Sequence, residues 1–398
     1  MLSVADAARA VIDRVPRLPS ERVPLDQAAG RILAADLVAA RALPGFDNAA
    51  MDGYATRSAD LPGTLPVIGM VAAGDLDVPQ LPAGTAVRIF TGAPLPPGTD
   101  TVVIQEDAVR DREWVRLPAS PAGDNLRMRG EDIAVGDVAL PAGTRLTGWD
   151  IGVAAALGIA SLPVARAPRV ALIATGDELV DVATPPRPGQ LVDSSVHALA
   201  ALVREAGGTA ERLGIARDNL ASLADRLAAA ADHDVVITTG GVSVGDRDHV
   251  REALAAAGIS LELYKVAMKP GKPFSFGMRP GAHPAPVFGL PGNPVSTVVG
   301  FELFLRPALL AMQGARVVER PKVTVHVAGG YRKDTGRAHY VRARVVRDGE
   351  RLIATPHAKQ GSAMLSSLVG CNALVVIAAE LTELAPGSTA PAILMEPV

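Results

Sequence analysis

The sequence predicts an α/β multidomain protein: a doubly wound α/β domain at the centre, an N-terminal helical unit carrying a β-rich insertion, and a small β-barrel-like domain at the C-terminal end. Three observations predict it. From about 166 to 316, short apolar runs alternate with helical patterns. Strands are expected at Val170–Ala174, Thr209–Gly214, Val235–Thr239, Leu261–Val266 and Val287–Gly289, and helices near Ser195–Ala206, Asn219–Ala231, Val250–Ala257 and Pro294–Leu310. Strands spaced by helices of that length form a parallel sheet covered on both faces. Before this block, in 1–165, helical stretches flank β runs punctuated by Gly and Pro; after it, in 317–398, the period-2 pattern of strands returns. A length of 398 residues fits several domains.

In chain order, Val4–Val15 and Asp26–Ala35 read as helices joined by a proline-bearing link. From about 45 to 147 the runs PVIGMVAAG, AVRIFTG, TVVIQEDA, EWVRLP and DVALPAGTRL read as strands. LPAGT stands at both 81–85 and 140–144, which predicts two similar turns. Residues 148–158 look helical again, so the β module is read as an insertion. At the other end Val323–Val327 and Tyr340–Val346 alternate apolar and polar residues, Asp348-Gly349 signals a two-residue hairpin, and Asn372–Ala378 and Ala392–Glu396 complete the strands.

Composition excludes several classes. A net charge of −3, a pI near 6.2 and 3% aromatic residues give no pull toward nucleic acid. The single Cys371 excludes a disulfide framework and a cysteine metal cluster, and suits a cytoplasmic protein. Asp6 and Asp13 interrupt the N-terminal apolar pattern, as in an amphipathic helix rather than a signal peptide. No 18-residue uncharged apolar run exists, so no membrane association is expected.

Three stretches of the α/β block carry chemistry. The first, 234–248, is a β-branched strand, then Gly240-Gly241, then a loop with Ser243, Asp246 and Asp248, then a helix. Strand, glycine loop and helix start let backbone N–H groups approach a phosphate, and the carboxylates could hold a metal; an ordinary tight turn with surface aspartates is the plain alternative. The second is Thr175-Gly176-Asp177-Glu178 at a strand end, an acidic pair that could supply a metal-binding carboxylate; capping a turn is the commoner use of Asp beside Gly. The third is Gly289–Ser296, where Asn293 suits an N-cap, Pro294 suits N1, and Gly292 and Ser296 leave room for an anion. Between them lie Lys265, Lys269 and Lys272, half of the chain's six lysines, in a protein that otherwise uses arginine. Compact ammonium groups beside glycine loops suit oxyanions. Phosphoryl or nucleotidyl chemistry on a polyanionic substrate with a divalent metal follows as a class.

TTGGVSVGDRD, KPGKP and GLPGNPVS, in this order, resemble the molybdopterin molybdotransferase family (MoeA, and the related C-terminal domain of gephyrin). NAAMDGYA (48–55), IFTGAPLPPGTD (89–100), RMRGEDI (127–133), TGDEL (175–179) and GRAHYVRARV (336–345) resemble it too, across nearly the whole chain. The resemblance implies a molybdopterin-binding α/β domain and a transferase of molybdenum cofactor synthesis. It takes adenylylated molybdopterin and molybdate, leaves molybdenum on the dithiolene and releases AMP, with magnesium. It also implies a homodimer, with the site between one subunit's α/β domain and the other's insertion, and a partnership with the molybdopterin adenylyltransferase.

By motif, the resemblance implies Asp248, Asp218 and Glu178 as metal carboxylates, with Asp248, Glu178, Lys265 and Lys269 in catalysis. Gly240, Gly241, Ser243 and Asp246 would line the adenylate or pterin phosphate. Lys272, Asn293 and Ser296 would join Lys269 around molybdate. Asp52, Thr91, Arg127 and Asp132 would come from the facing subunit. Ser195 stands where the family commonly has Asn, and the family's C-terminal serine falls on Ser362 or Ser366. The alternative enzyme reading is the adenylyltransferase itself, which shares the GGVS loop but lacks the flanking domains. A non-enzymatic scaffold is a third.

Overall fold

The computed structural model describes residues 1–240, 249–281 and 284–398. Gly241, Ser243, Asp246 and Asp248 lie outside the described residues.

Six strands form the central sheet in the order Thr209–Ala216, Arg169–Thr175, Val235–Thr239, Ala285–Leu290, Pro273–Arg279, Ser260–Lys265. The first four pair in parallel. The fifth departs from the expected all-parallel sheet, because Pro273–Arg279 runs antiparallel to both neighbours. PFSFGMR alternates Phe274 and Phe276 with smaller residues, a strand pattern that the adjacent lysine loop obscured. Period-2 geometry explains the doubly wound core. Val170, Leu172, Ala174, Val235 and Ile237 pack toward Leu199, Val203, Val299, Phe304 and Leu309. Ala171, Ile173 and Val236 face the other way, toward Leu223, Val250 and Leu254.

The expected helix Pro294–Leu310 runs as Pro294–Gly300, a π-helical turn at Phe301–Leu305, and Arg306–Met312. Pro294–Met312 is long and apolar enough to cross a bilayer, yet most of it is buried in the core. Within the π turn the buried Glu302 accepts from Arg320 at 2.9 and 3.1 Å, which pairs an otherwise costly carboxylate.

At the N-terminal end, Val4–Ile12 is helical and packs on the same core. The expected helix Asp26–Ala35 does not form beyond a short 3-10 turn, Leu25–Gln27. Gly30 adopts φ +78, and the N–H groups of Gly30 and Leu33 donate to Leu146 and Thr144 carbonyls. Tertiary pairing overrides the weak helical preference of DQAAGR. The insertion is built on a six-stranded sheet, Thr101–Ile104, Gly53–Thr56, Ala86–Ile89, Gly63–Val71, Trp114–Leu117, Val109–Asp111. Both LPAGT turns have the same design. Gly84 and Gly143 take φ +75 and +79, and Thr85 and Thr144 each donate from Oγ1 to the proline carbonyl three residues back at 2.7 Å. The chain re-enters through helix Gly148–Ala156, fixed by a capping box between Thr147 and Asp150.

The C-terminal strands Ala338–Asp348, Arg351–Pro356, Lys322–Val327, Thr389–Leu394 and Ala373–Ile377 close into a five-stranded barrel, because the last pairs with the first. Its hairpin loop is Gly349-Glu350, one residue later than expected, since Asp348 still pairs with Arg351. The final strand lies earlier than expected, at Thr389–Leu394. Asn372 bolts the closure: its side chain accepts from Val345 N–H at 2.7 Å and donates to Val345 C=O at 2.9 Å.

Asn372→Ala leaves both Val345 backbone groups buried without these partners. It is expected to destabilise the barrel by about 1–3 kcal/mol. Denaturant unfolding and amide exchange of Val345 measure this, and Leu223, on the far side of the central sheet, should keep its protection.

Candidate active site

The carboxyl ends of the parallel strands meet in a tight backbone junction, the place where open α/β sheets bind ligands. Thr175 Oγ1 donates to Thr239 C=O at 3.0 Å, and Gly240 N–H donates to Leu290 C=O at 3.0 Å. Gly240 has φ +87, and a Cβ there would stand 2.7 Å from both Thr175 O and Oγ1. A Cβ on Gly292 would come 3.8 Å from Gly240 Cα. The Gly240 turn, the acidic turn and the 289–296 loop are therefore neighbours, as the sequence implied.

On one side of this junction lie the carboxylates. Asp177 Oδ1 accepts from the Asp218 N–H at 3.2 Å, and Arg217 Nη1 donates to the Asp177 and Leu179 carbonyls at 3.0 and 3.4 Å. Leu191 N–H donates to Glu178 C=O at 2.8 Å. The Glu178 carboxylate folds back over Gly176, where a Cβ would lie 2.6 Å from Oε2. Glu178 and Asp218, both exposed, thus share one corner, with Asp177 of the same acidic turn as the link between them. Among the described residues no three His, Cys, Asp or Glu converge as a metal cage. Magnesium takes oxygen ligands, as few as one or two carboxylates beside phosphates and waters, and Glu178 and Asp218 are oxygen donors of that kind.

On the other side lies the lysine loop. Val266 N–H donates to Lys272 C=O at 3.1 Å and closes the loop, leaving Lys265, Lys269 and Lys272 exposed. Met268-Lys269 pairs in parallel with Ala338-His339 of the barrel, and Ala338 N–H donates to Ala267 C=O at 2.9 Å. A Cβ on Gly271 would lie 3.6 Å from Ser296 O, so Lys269, Lys272 and Ser296 share one corner. His339 is the neighbour the sequence did not reveal. Burial, then Lys269, Lys333 and Arg337, push its imidazole down to about 4, so it stays neutral beside the lysine.

The helix start differs from expectation in its chemistry. Asn293 occupies the N-cap position, but its side chain makes no capping bond. Thr297 Oγ1 instead donates to Pro291 and Asn293 carbonyls at 2.6 and 3.1 Å. The Val295 N–H is taken by Ser362 C=O of the C-terminal domain at 3.1 Å. Among the described residues the N–H of the buried Ser296 has no partner. Ser362 is thus at the site through its backbone, whereas Ser366 is exposed on a 3-10 turn and Ser367 is the buried serine. Arg342, only 1% exposed, donates from Nε to Ser367 Oγ at 3.1 Å and from Nη2 to Lys359 and Gly361 carbonyls at 3.2 Å. It holds the segment that reaches Ser362. In the sequence Arg342 shares its strand face with Arg344, so nothing there marked it as buried. Ser195 is buried at a helix start capped by Asp193, which accepts from the Ser195 and Val196 N–H groups at 3.1 and 3.3 Å.

The residues expected from a facing subunit form separate groups in the N-terminal unit. Asp52 Oδ1 accepts from Thr91 N–H and Oγ1 at 2.7 Å each, and the backbone N–H bond in particular holds the carboxyl below its ordinary range. Arg127 pairs with Asn48 across a short ladder, and Asp132 N–H donates to Leu43 C=O at 3.1 Å. The hydrogen bonds of these four residues stay within the N-terminal unit.

Three family models match successive parts of the chain. They are the MoeA N-terminal region (domain I and II) over residues 2–158, a probable molybdopterin binding domain over 171–311, and the MoeA C-terminal region (domain IV) over 324–395. The chain is 38% identical over 405 aligned positions to molybdopterin molybdenumtransferase 2 of Mycobacterium tuberculosis, covering 98% of each. It is 35% identical to the molybdopterin molybdenumtransferase of Haemophilus influenzae, covering 98% of this chain and 97% of the relative. The crystal structure of the molybdopterin biosynthesis MoeA protein from Pyrococcus horikoshii OT3 superposes with a TM-score of 0.85 at 30% identity, over 99% of this chain and 100% of the other.

Two expectations follow from the geometry. Gly240→Ala forces a Cβ against Thr175 at φ +87, so it should cost more than about 1 kcal/mol and disorder the junction, read as a lower melting temperature with lost ligand binding. The low His339 value carries a pH dependence. The unfolded ring binds a proton below its ordinary 6.5, while the folded ring resists until about 4. Stability is therefore lost as pH falls through that window. His339→Gln should flatten this acid slope in denaturant titrations; an unchanged slope counts against the assignment.

Proposed function

The chain belongs to the MoeA family, and from that premise we propose a division of its site into a nucleotide side and an oxyanion side. The protein is a transferase of molybdenum cofactor biosynthesis that inserts molybdenum into molybdopterin. The adenylyltransferase alternative is not favoured, because the matches extend over the MoeA N- and C-terminal regions as well as the α/β domain.

In this reading the substrates are adenylylated molybdopterin and molybdate, and AMP leaves. The Gly240 turn, together with Gly241, Ser243 and Asp246, takes the phosphates through backbone N–H groups. Glu178 and Asp218, with Asp248, would hold magnesium, which when bound would supply charge neutralisation of the phosphates. Lys269 and Lys272, with Asn293 and Ser296, hold the tetrahedral oxyanion, and Lys265 adds positive field. Ser366 lies too far along its exposed turn to be preferred over Ser362 as the C-terminal contact. A homodimer would bring Asp52, Thr91, Arg127 and Asp132 of a second copy to the cleft. The setting is the cytoplasm, with the adenylyltransferase as donor of substrate.

One observation carries the reading. The lysine loop and the helix start meet at one corner, and both are tied by backbone bonds to the C-terminal barrel. Preorganised cations and donors of this kind stabilise an oxyanion without reorganising during the reaction.

Lys269→Ala is expected to lower molybdate-dependent AMP release by about 10²–10³-fold, with the protein still folded. Release at the wild-type rate rejects the oxyanion assignment. Chelation of magnesium should stop the same reaction, and restored magnesium should recover it. Molybdopterin supplied with Mg-ATP but no molybdate should give no adenylylated product.

A further inference from the structure

The opposite, amino-terminal edge of the central sheet holds a second concavity of about 640 Å3, a volume typical of small-molecule sites. Arg17, Arg166, Arg169 and Arg279 line it, against the carboxylates of Asp232 and Asp234. Four guanidinium charges less two carboxylates leave a balance of two positive charges.

Much of this cluster has a structural task. Arg166 donates to both Asp234 carboxylate oxygens at 2.7 and 2.8 Å, and Arg169 N–H adds a third bond at 2.7 Å. Arg279 donates to the Ala230 and His233 carbonyls, each at 2.8 Å, and so caps the end of helix Leu220–Ala229. Two groups have no such explanation. Arg17, exposed on the Pro16–Pro19 link, has no hydrogen bond or ion pair among the described residues. His233 is 5% exposed, and its Nε2 lies 2.9 Å from Glu211 Oε2. Its buried Nδ1 has no partner among the described residues, a cost that native structures seldom leave standing. His233 lines the cleft, so this unpartnered ring nitrogen belongs to its wall.

We propose that this cleft binds a phosphate dianion, free or carried on a small organic body, through Arg17, His233 and the unengaged donors of Arg166 and Arg169. Guanidinium forks match phosphate geometry, and the charge balance matches a dianion. Leu18, Pro19 and Met312, on the wall of the same cleft, offer an apolar surface to an organic body. The site lies at the strand starts, away from the carboxyl-edge loops, and rests on no part of the molybdenum reading.

Calorimetric titration of the intact protein tests it with ribose 5-phosphate, inorganic phosphate and ribose. Ribose 5-phosphate should bind wild type and Lys269→Ala equally, and at least about tenfold more weakly to Arg17→Glu and His233→Gln. Ribose should not bind. Tighter binding of ribose 5-phosphate than of phosphate assigns the organic form, and equal binding assigns the free ion. Arg17→Glu removes no internal bond, so an unchanged melting temperature separates lost binding from lost fold. No phosphate binding, or binding that Lys269→Ala abolishes and Arg17→Glu leaves intact, overturns the proposal.

Discussion

Two backbone hydrogen bonds between domains, Ala338 N–H to Ala267 C=O and Val295 N–H to Ser362 C=O, underlie the arrangement of the site. The first seats the lysine strand on the barrel, and the second holds the helix start beneath a barrel-domain loop. Neither bond is available to the α/β domain alone. Arg342 extends the constraint inward, since its guanidinium binds the carbonyls of the segment that carries Ser362. A buried guanidinium is tolerated only when such acceptors surround it. The C-terminal domain is thus part of the site's scaffold.

This scaffold explains a separation of charge. Carboxylates at Asp177, Glu178 and Asp218 gather on one flank of the central strand ends, where Arg217 ties two turns together. Lysines gather on the other flank, between the antiparallel strand Pro273–Arg279 and the barrel. Glycine at 240 keeps the middle open, because any side chain there would meet Thr175. A substrate with a phosphate end and an oxyanion partner finds complementary fields at the two ends of one cleft. The neutral His339 lets the barrel approach Lys269 without adding a competing cation.

The legible parts were those decided by local chemistry. Continuous apolar runs gave Val235–Thr239 and Arg169–Thr175, and the repeated LPAGT did mark two turns with the same Thr-to-Pro bond. Parts decided by distant partners were not legible. Residues 26–35 looked helical because nothing local announces that Leu146 and Thr144 carbonyls will claim their N–H groups. Asn293 stands where a cap belongs, yet Thr297 makes the side-chain bonds there. Lys269 stood out by composition, but His339, seventy residues later, could be paired with it only by strand register. Glu178 and Asp218 were nameable through motifs and Asp177 through its acidic turn, but the bond from the Asp218 N–H to the Asp177 carboxylate was not.

The most direct measurement is an anomalous difference map, recorded at the molybdenum absorption edge, from crystals soaked in molybdate. The account predicts a peak within contact of Lys269, Lys272 and the Ser296 helix start. Peaks confined to the acidic turn or to the arginine cleft at saturating molybdate, with none at the lysine loop, would contradict it.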